Sequence, residues 1–118
     1  MALTVNGKAT RRTDGMAIDV VVPAGMTVQA GDPVYIDGWH GIAMAAGEED
    51  DIIALEVGPF VHEITLGAAV TADKGDILYI TTDGTNTVDA TNTNREAFKV
   101  VKAKDANNVA WVRILENR

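Results

Sequence analysis

The chain has 118 residues, of which 47% are hydrophobic and 5% aromatic, with a formal net charge of −7 and no cysteine. This length supports one domain with an aliphatic core, and the lack of cysteine excludes disulfides and thiolate chemistry. The acidic balance disfavours nucleic acid as a partner, because phosphate backbones are also negative. We expect no membrane association and synthesis in the cytoplasm, since no run approaches the ~20 apolar residues that span a bilayer and no apolar leader follows Met1.

Residues 1–16 are predicted to form an extended arm. Turn dipeptides and the absence of a sustained apolar period argue against a strand or helix there. The arm is basic, whereas residues 17–118, which we predict to form one β domain, are strongly acidic. The basic side chains of the arm are Lys8, Arg11 and Arg12.

Nine short runs rich in β-branched and apolar residues follow the arm at the spacing of an all-β domain. Pairs of Gly, Asp, Asn and Pro between the runs predict tight turns. One segment, Ile64–Asp73, has apolar spacing that suits a helical turn. The nine runs are Ala17–Pro23, Pro33–Asp37, Gly41–Ala45, Asp51–Val57, Phe60–Thr65, Asp76–Thr81, Thr85–Asp89, Ala97–Ala103 and Val109–Leu115.

The last run, Val109–Leu115, carries apolar residues at both odd and even positions. That pattern is typical of a strand covered on both faces, because each parity then meets a packed layer. Arg113 would emerge from such a strand at an edge or an interface.

An internal repeat is visible at an offset of 44 residues, where Gly31–Gly38 recurs as Gly75–Gly84. Both copies open with Gly-Asp, continue with Tyr-Ile and reach an Asp-Gly turn. The longer runs that follow are Ile52–Val57 with Phe60–Thr65 in the first unit, and Ala97–Ala103 with Val109–Leu115 in the second. Chance similarity is the alternative explanation. We predict a small compact β-barrel or sandwich of two similar β-meanders, since neither could bury its apolar face alone.

Side chains for catalysis are sparse. The chain has no serine, which excludes a Ser-His-Asp triad. His62 is predicted to face the surface from a strand, and His40 to lie at a hairpin tip beside Trp39. We therefore predict no catalytic residue and no enzymatic activity.

Cofactor and metal sites are also not indicated. The run Glu48–Asp51 lacks the alternating spacing of a calcium loop and is predicted to be a solvated turn that discourages edge pairing. The segment Ala30–Val34 resembles the entrance to a biotinyl or lipoyl carrier domain. Lys74, however, precedes Gly-Asp and does not stand at a hairpin apex, so we expect no cofactor.

Several segments together resemble a known family, the bacteriophage capsid decoration proteins, also called head-stabilising or cement proteins. The resemblance covers Ala17 to Leu115, and departs from the family in residues 1–16 and in Ala97–Ala103, which lacks an expected glycine. The segments that carry it are Val22–Gly25, Val28–Ile36, Gly41–Glu48, Leu55–Phe60, Lys74–Ile80 and Val109–Leu115.

The resemblance implies a structural virion protein on the outer capsid surface. Its partners would be the major capsid protein and itself, as a homotrimer, and it would stabilise the expanded head by bridging neighbouring subunits. The arm could add a strand to a capsid edge, with Lys8, Arg11 and Arg12 contacting acidic capsid surface. A terminus without a role is the alternative for the arm.

Three aromatic residues are candidates for the oligomer interface: Trp39, Phe60 and Trp111. Aromatic side chains are enriched at interface centres and are scarce in this chain, although ordinary core burial is the alternative for each. Two other functions stay open at this point. One is a different virion module, such as a head fibre base, tail-tube or adhesin domain, and the other is a small β carrier or ligand-binding module.

Overall fold

The computed structural model describes residues 16–117, which form nine strands in two curled antiparallel sheets, each a half-barrel. The described residues contain no helix, and therefore none long and apolar enough to cross a membrane. The all-β prediction is confirmed. The strands are β1 (Ala17–Val21), β2 (Pro33–Ile36), β3 (Trp39–Ala43), β4 (Ile52–Glu56), β5 (Val61–Thr65), β6 (Ile77–Ile80), β7 (Val88–Asp89), β8 (Arg95–Lys102) and β9 (Val109–Ile114).

The two sheets share one strand order. The first sheet runs β1-β4-β3-β2 and the second runs β5-β9-β8-β6-β7. In each sheet a meander is flanked by the strand that precedes it, so β1 lies on β4 and β5 lies on β9. Each sheet covers its own hydrophobic cluster, which contains Leu55 in the first sheet and Phe98 in the second. Ile42 of β3 packs in the second cluster and so joins the two halves.

Matching hydrogen bonds confirm the internal repeat. The Gly31 N–H donates to the carbonyl of Ala43 at 2.7 Å, and the Gly75 N–H donates to the carbonyl of Val100 at 2.8 Å. Both glycines have positive φ, 91° and 93°, a conformation that glycine adopts without steric cost. The repeated glycine therefore ties each loop to the meander strand beside it.

The aspartate that follows each glycine closes the same turn in both halves. The Asp32 carboxylate accepts from the N–H of Gln29 at 2.9 Å, and the Asp76 carboxylate accepts from the N–H of Asp73 at 2.9 Å. Short polar side chains favour such turns because they bond nearby backbone groups. The Gly-Asp dipeptide thus repeats because one turn is used twice.

The predicted unit boundaries are wrong, however. β5 opens the second unit and corresponds to β1, 44 residues earlier, while β9 corresponds to β4, 57 residues earlier. β8 therefore matches β3, and the segment containing β7 is an insertion in the second unit. Phe60–Thr65 does not correspond to Val109–Leu115, since β5 and β9 pair in the same sheet.

The helical turn predicted for Ile64–Asp73 is also wrong. This segment ends β5 and continues as a loop in which the Val70 N–H donates to the Gly67 carbonyl at 3.0 Å. Its equivalent in the first unit is the bond from the Met26 N–H to the Pro23 carbonyl at 3.2 Å. The spacing of the apolar side chains in this loop therefore reflects a tight turn that occurs in both halves.

The expectation that both faces of β9 are covered is wrong. β9 lies between β5 and β8, so Arg113 is not at an edge, and the side chains of β9 alternate between buried and exposed, so its outer face is open. The run Glu48–Asp51 does form an exposed turn before β4, in which the Asp51 N–H donates to the Glu48 carbonyl at 2.9 Å.

Candidate functional site

The outer face of the second sheet carries two rows of exposed side chains that cross β5, β9 and β8. Residues directly opposite one another on antiparallel strands share a face and contact across the sheet. Because β9 is the central of the three strands, its outward side chains lie in the middle of this surface. The rows are Val61, Arg113 and Lys99, and beside them Glu63, Trp111 and Lys102.

Trp111 is 40% exposed at the centre of its row. The Lys102 ammonium lies 4.8 Å from the centroid of the indole ring. This is cation–π geometry, in which the ring quadrupole attracts the charge. The contact orients the ring and leaves much of it open to a partner.

An open groove of about 700 Å³ connects this face to the first sheet. Trp39, Pro59, Lys99 and Arg113 are among its lining residues. Trp39 is 41% exposed because it is the first residue of β3 after a turn in which Asp37 and Gly38 both have positive φ. Such two-residue turns suit the twist of a hairpin and hold Trp39 at the rim of the groove.

Phe60 lies beside the same groove, in the loop between β4 and β5. It is 46% exposed, and a Cβ placed on Gly58 would lie 3.0 Å from its ring. Its carbonyl accepts from the Ile114 N–H at 3.2 Å, which fixes the loop against β9. Trp39, Phe60 and Trp111 therefore lie on one side of the molecule and outside both core clusters. We call this surface, with Val61, Glu63, Lys99, Lys102 and Arg113, the aromatic face.

Charge is unevenly distributed over the described residues. Residues 16–60 contain eight carboxylate side chains and neither lysine nor arginine, so all the lysines and arginines of residues 16–117 lie in the second half. Lys104 donates to three loop carbonyls, and Arg95 is engaged inside the protein. Lys99, Lys102 and Arg113 of the aromatic face form no ion pair within the described part of the chain.

His40 is the one buried charged or polar residue among residues 16–117, with 1% of its surface exposed. Its Nε2–H donates to the Leu115 carbonyl at 2.8 Å, and its Nδ1 accepts from the Arg95 Nε–H at 2.8 Å. Those partners require the neutral ring, with the proton on Nε2. Burial lowers the pKa of His40, and the neighbouring Arg95 guanidinium lowers it further, against the opposing effect of the Leu115 carbonyl.

The expectation that His40 lies at a hairpin tip is therefore wrong. Side chains alternate along β3, so exposure of Trp39 sends His40 inward, where its ring meets Phe98 edge-on at 6.1 Å. Both ring nitrogens are occupied by structural partners, so this histidine joins the sheets. His62 is half-buried and pairs with Glu56 of β4, a second link between the sheets.

Sequence reasoning missed Lys99, Lys102, Arg95 and Asn117. Strand parity was the available signal for the two lysines of β8. Lys99 lies opposite Arg113 of β9 and Lys102 lies opposite Trp111, and both partners were singled out from the sequence. Lys8, Arg11 and Arg12 lie outside the described residues. No group of three or more His, Asp or Glu side chains within residues 16–117 is placed to hold a metal ion.

A family model described as phage cement protein matches residues 12–114 of the chain. No curated protein matches the chain closely enough to identify a relative.

Proposed function

Because the chain belongs to the phage cement protein family, which gives it a structural role in the virion in association with the capsid, we propose that it binds the outer surface of the expanded head. There it stabilises the head by bridging neighbouring subunits of the major capsid protein. A ligand that binds the assembled state and not its separated parts stabilises assembly by mass action. In this proposal the protein is made in the host cytoplasm and added to the outside of the head.

The aromatic face is the observation that carries the proposal. Exposed apolar patches rimmed by polar groups mark interaction sites, and tryptophans at their centres supply much of the binding energy. Trp111 stands on a central strand whose inner face is already filled, so its outward apolar surface serves no core. We assign Trp39, Phe60 and Trp111 to contacts between copies in a homotrimer.

The arm supplies a second contact in this proposal. Lys8, Arg11 and Arg12 bind acidic capsid surface, because opposite charges attract and orient the partners. The carbonyl of Met16 accepts from the N–H groups of Val57 and Gly58 at 2.8 and 3.2 Å, which anchors the root of the arm beside the groove. An arm anchored at this point and a rigid two-sheet body reach different capsid subunits.

The test uses purified heads that lack the protein. We expect the full chain to cosediment with expanded heads and not with precursor shells, and to raise the temperature at which the heads release DNA. Equal binding to both shells, or bound protein that leaves the release temperature unchanged, would overturn the proposal. Labelled protein found on tails would instead favour another virion module, and a covalent mass adduct on Lys74 would favour a carrier.

A further inference from the structure

The two halves of the repeat carry opposite charges at one pair of equivalent positions, on β4 and β9. The pair Ala17 and Glu56 of the first sheet corresponds in register to the pair Val61 and Arg113 of the second. Duplication alone would give similar surfaces. The outer face of the first sheet instead carries carboxylates without lysine or arginine, while that of the second combines Glu63 with Trp111 and three cations, Lys99, Lys102 and Arg113.

The outer face of the first sheet also exposes apolar side chains. Ile52 is 70% exposed and Val21, directly opposite it on β1, is 48% exposed. Asp19 lies on the same side of β1, and the turn Glu48–Asp51 leads directly into Ile52. We call Asp19, Val21, Ile52 and this turn the acidic face.

The two faces also differ in side-chain size at equivalent positions. Trp111 of β9 lies opposite Glu63, and the equivalent pair in the first sheet is Ala54 opposite Asp19. The aromatic face thus carries an indole ring where the acidic face carries a methyl group. A large ring, beside cations that form no ion pair within residues 16–117, suits a surface on which a small side chain lies beside Val21, Ile52 and carboxylates.

We propose that the aromatic face of one copy binds the acidic face of a second copy, head to tail. This inference rests on the proposed function only in that copies assemble with one another. The Trp111 ring packs over Ala54, while Lys102 and Arg113 meet Asp19 and the carboxylates of the Glu48–Asp51 turn. Because the two faces differ, the contact is heterologous, and an open assembly keeps one free aromatic face and one free acidic face until a ring closes.

The experiment compares two variants of the full chain by sedimentation equilibrium. The double variant Lys102→Glu with Arg113→Glu disables the aromatic face, and Ile52→Lys disables the acidic face. Both sets of side chains are exposed, so the fold should be retained, which circular dichroism checks. Lys74→Glu, in an exposed loop off both faces, is the matched control for charge reversal.

We expect the wild-type chain and the Lys74→Glu control to self-associate, and each face variant alone to be monomeric. An equimolar mixture of the two face variants should form dimers and nothing larger. One variant supplies an intact acidic face and the other an intact aromatic face, and the dimer then has no intact face left for a third copy. High salt should weaken wild-type association, since the screening length falls from about 10 Å at 0.1 M to about 3 Å at 1 M.

Three results would overturn the inference. They are a mixture that stays monomeric although the wild type associates, face variants that associate like the wild type, and a wild type that is monomeric at about 1 mM, where even weak contacts register. Head binding is measured in parallel. Retained binding by a wild type that does not self-associate would leave the proposed function intact and remove only this contact.

Discussion

The side chain of Asn117 hydrogen-bonds both backbone polar groups of His40, 77 residues earlier in the chain. Its Oδ1 accepts from the His40 N–H at 2.8 Å, and its Nδ2 donates to the His40 carbonyl at 2.9 Å. β3 pairs with β4 only at Ile42 and Ala43, so the amide takes the place of a strand at the start of β3. The same Oδ1 accepts from Arg95 at 3.0 Å, which extends the contact to β8.

Asn117→Ala should lower the free energy of unfolding by about 1–3 kcal/mol, because buried polar groups of His40 lose their partners. Glu116→Ala, at the exposed neighbouring position, is the matched control and should be nearly neutral. Urea denaturation at pH 7.5 measures both. Equal losses for the two variants would contradict a specific role for the amide.

Stability should fall as the pH drops below the ordinary histidine pKa of about 6.5. The pKa of His40 is lowered in the folded protein, so the unfolded chain takes up the proton first and acid favours unfolding. The loss continues until the folded protein is also protonated, when the charged ring would face the Arg95 guanidinium. Urea denaturation between pH 7.5 and 5.5 should show this slope.

The His40→Gln variant tests the source of that slope. It should be less stable at pH 7.5 and should have a smaller slope between pH 7.5 and 5.5. Glu116→Ala, which retains both histidines, is the control and should keep the slope. An unchanged slope in His40→Gln would contradict the assignment of the acid sensitivity to His40.

Gly41→Ala should destabilise the fold by about 1–3 kcal/mol, the usual cost of overpacking. A Cβ on Gly41 would overlap the backbone carbonyl oxygen of Glu56, which cannot move without displacing β4. Gly67→Ala is the control, because its nearest neighbour would be a side-chain atom of Val70 at 3.6 Å. Thermal unfolding measures both, and similar midpoints would show that β3 and β4 can separate freely.

Trp111→Ala should lower the unfolding free energy of the monomer by only about 1 kcal/mol, since Trp111 is 40% exposed and packs on the outside of the sheet. Assembly with other copies on the head should weaken by about 30-fold, the scale of an interface hot spot. Trp111→Tyr, which keeps a ring for Lys102, should recover part of the affinity. Cosedimentation with heads measures binding, and full affinity in the alanine variant would remove Trp111 from the interface.

Replacing Lys8, Arg11 and Arg12 together by alanine should reduce head binding most strongly at low salt, because charge attraction is least screened there. The unfolding free energy should stay unchanged. The same cosedimentation assay at two salt concentrations tests this. Wild-type affinity at low salt would indicate an arm without a role in attachment.

Much of the fold followed from local patterns in the sequence. Each of the nine predicted runs overlaps one strand, because short β-branched segments bounded by turn dipeptides favour extended backbone. The boundary between the units was hidden because the insertion around β7 changes the offset from 44 to 57 residues. A single-offset comparison aligns β2 with β6 and misaligns every strand that follows.

Long-range partners account for what local patterns missed at the candidate site. His40 is buried because Arg95 and Asn117, 55 and 77 residues away, satisfy its polar groups. The apolar residues on both parities of β9 were interpreted as two covered faces. Periodicity indicates that a face of a strand is apolar, but it does not show whether the protein core or a binding partner covers that face.

The Gly-Asp turn gives this chain an internal replicate. Asp32 and Asp76 make the same bond at the same length in two backbones of the same shape. The same substitution at Asp32 and at Asp76 removes the same hydrogen bond. Any difference between the two losses in unfolding free energy therefore measures the effect of the surroundings of the turn. The chain therefore permits a local interaction to be separated from its context within a single polypeptide.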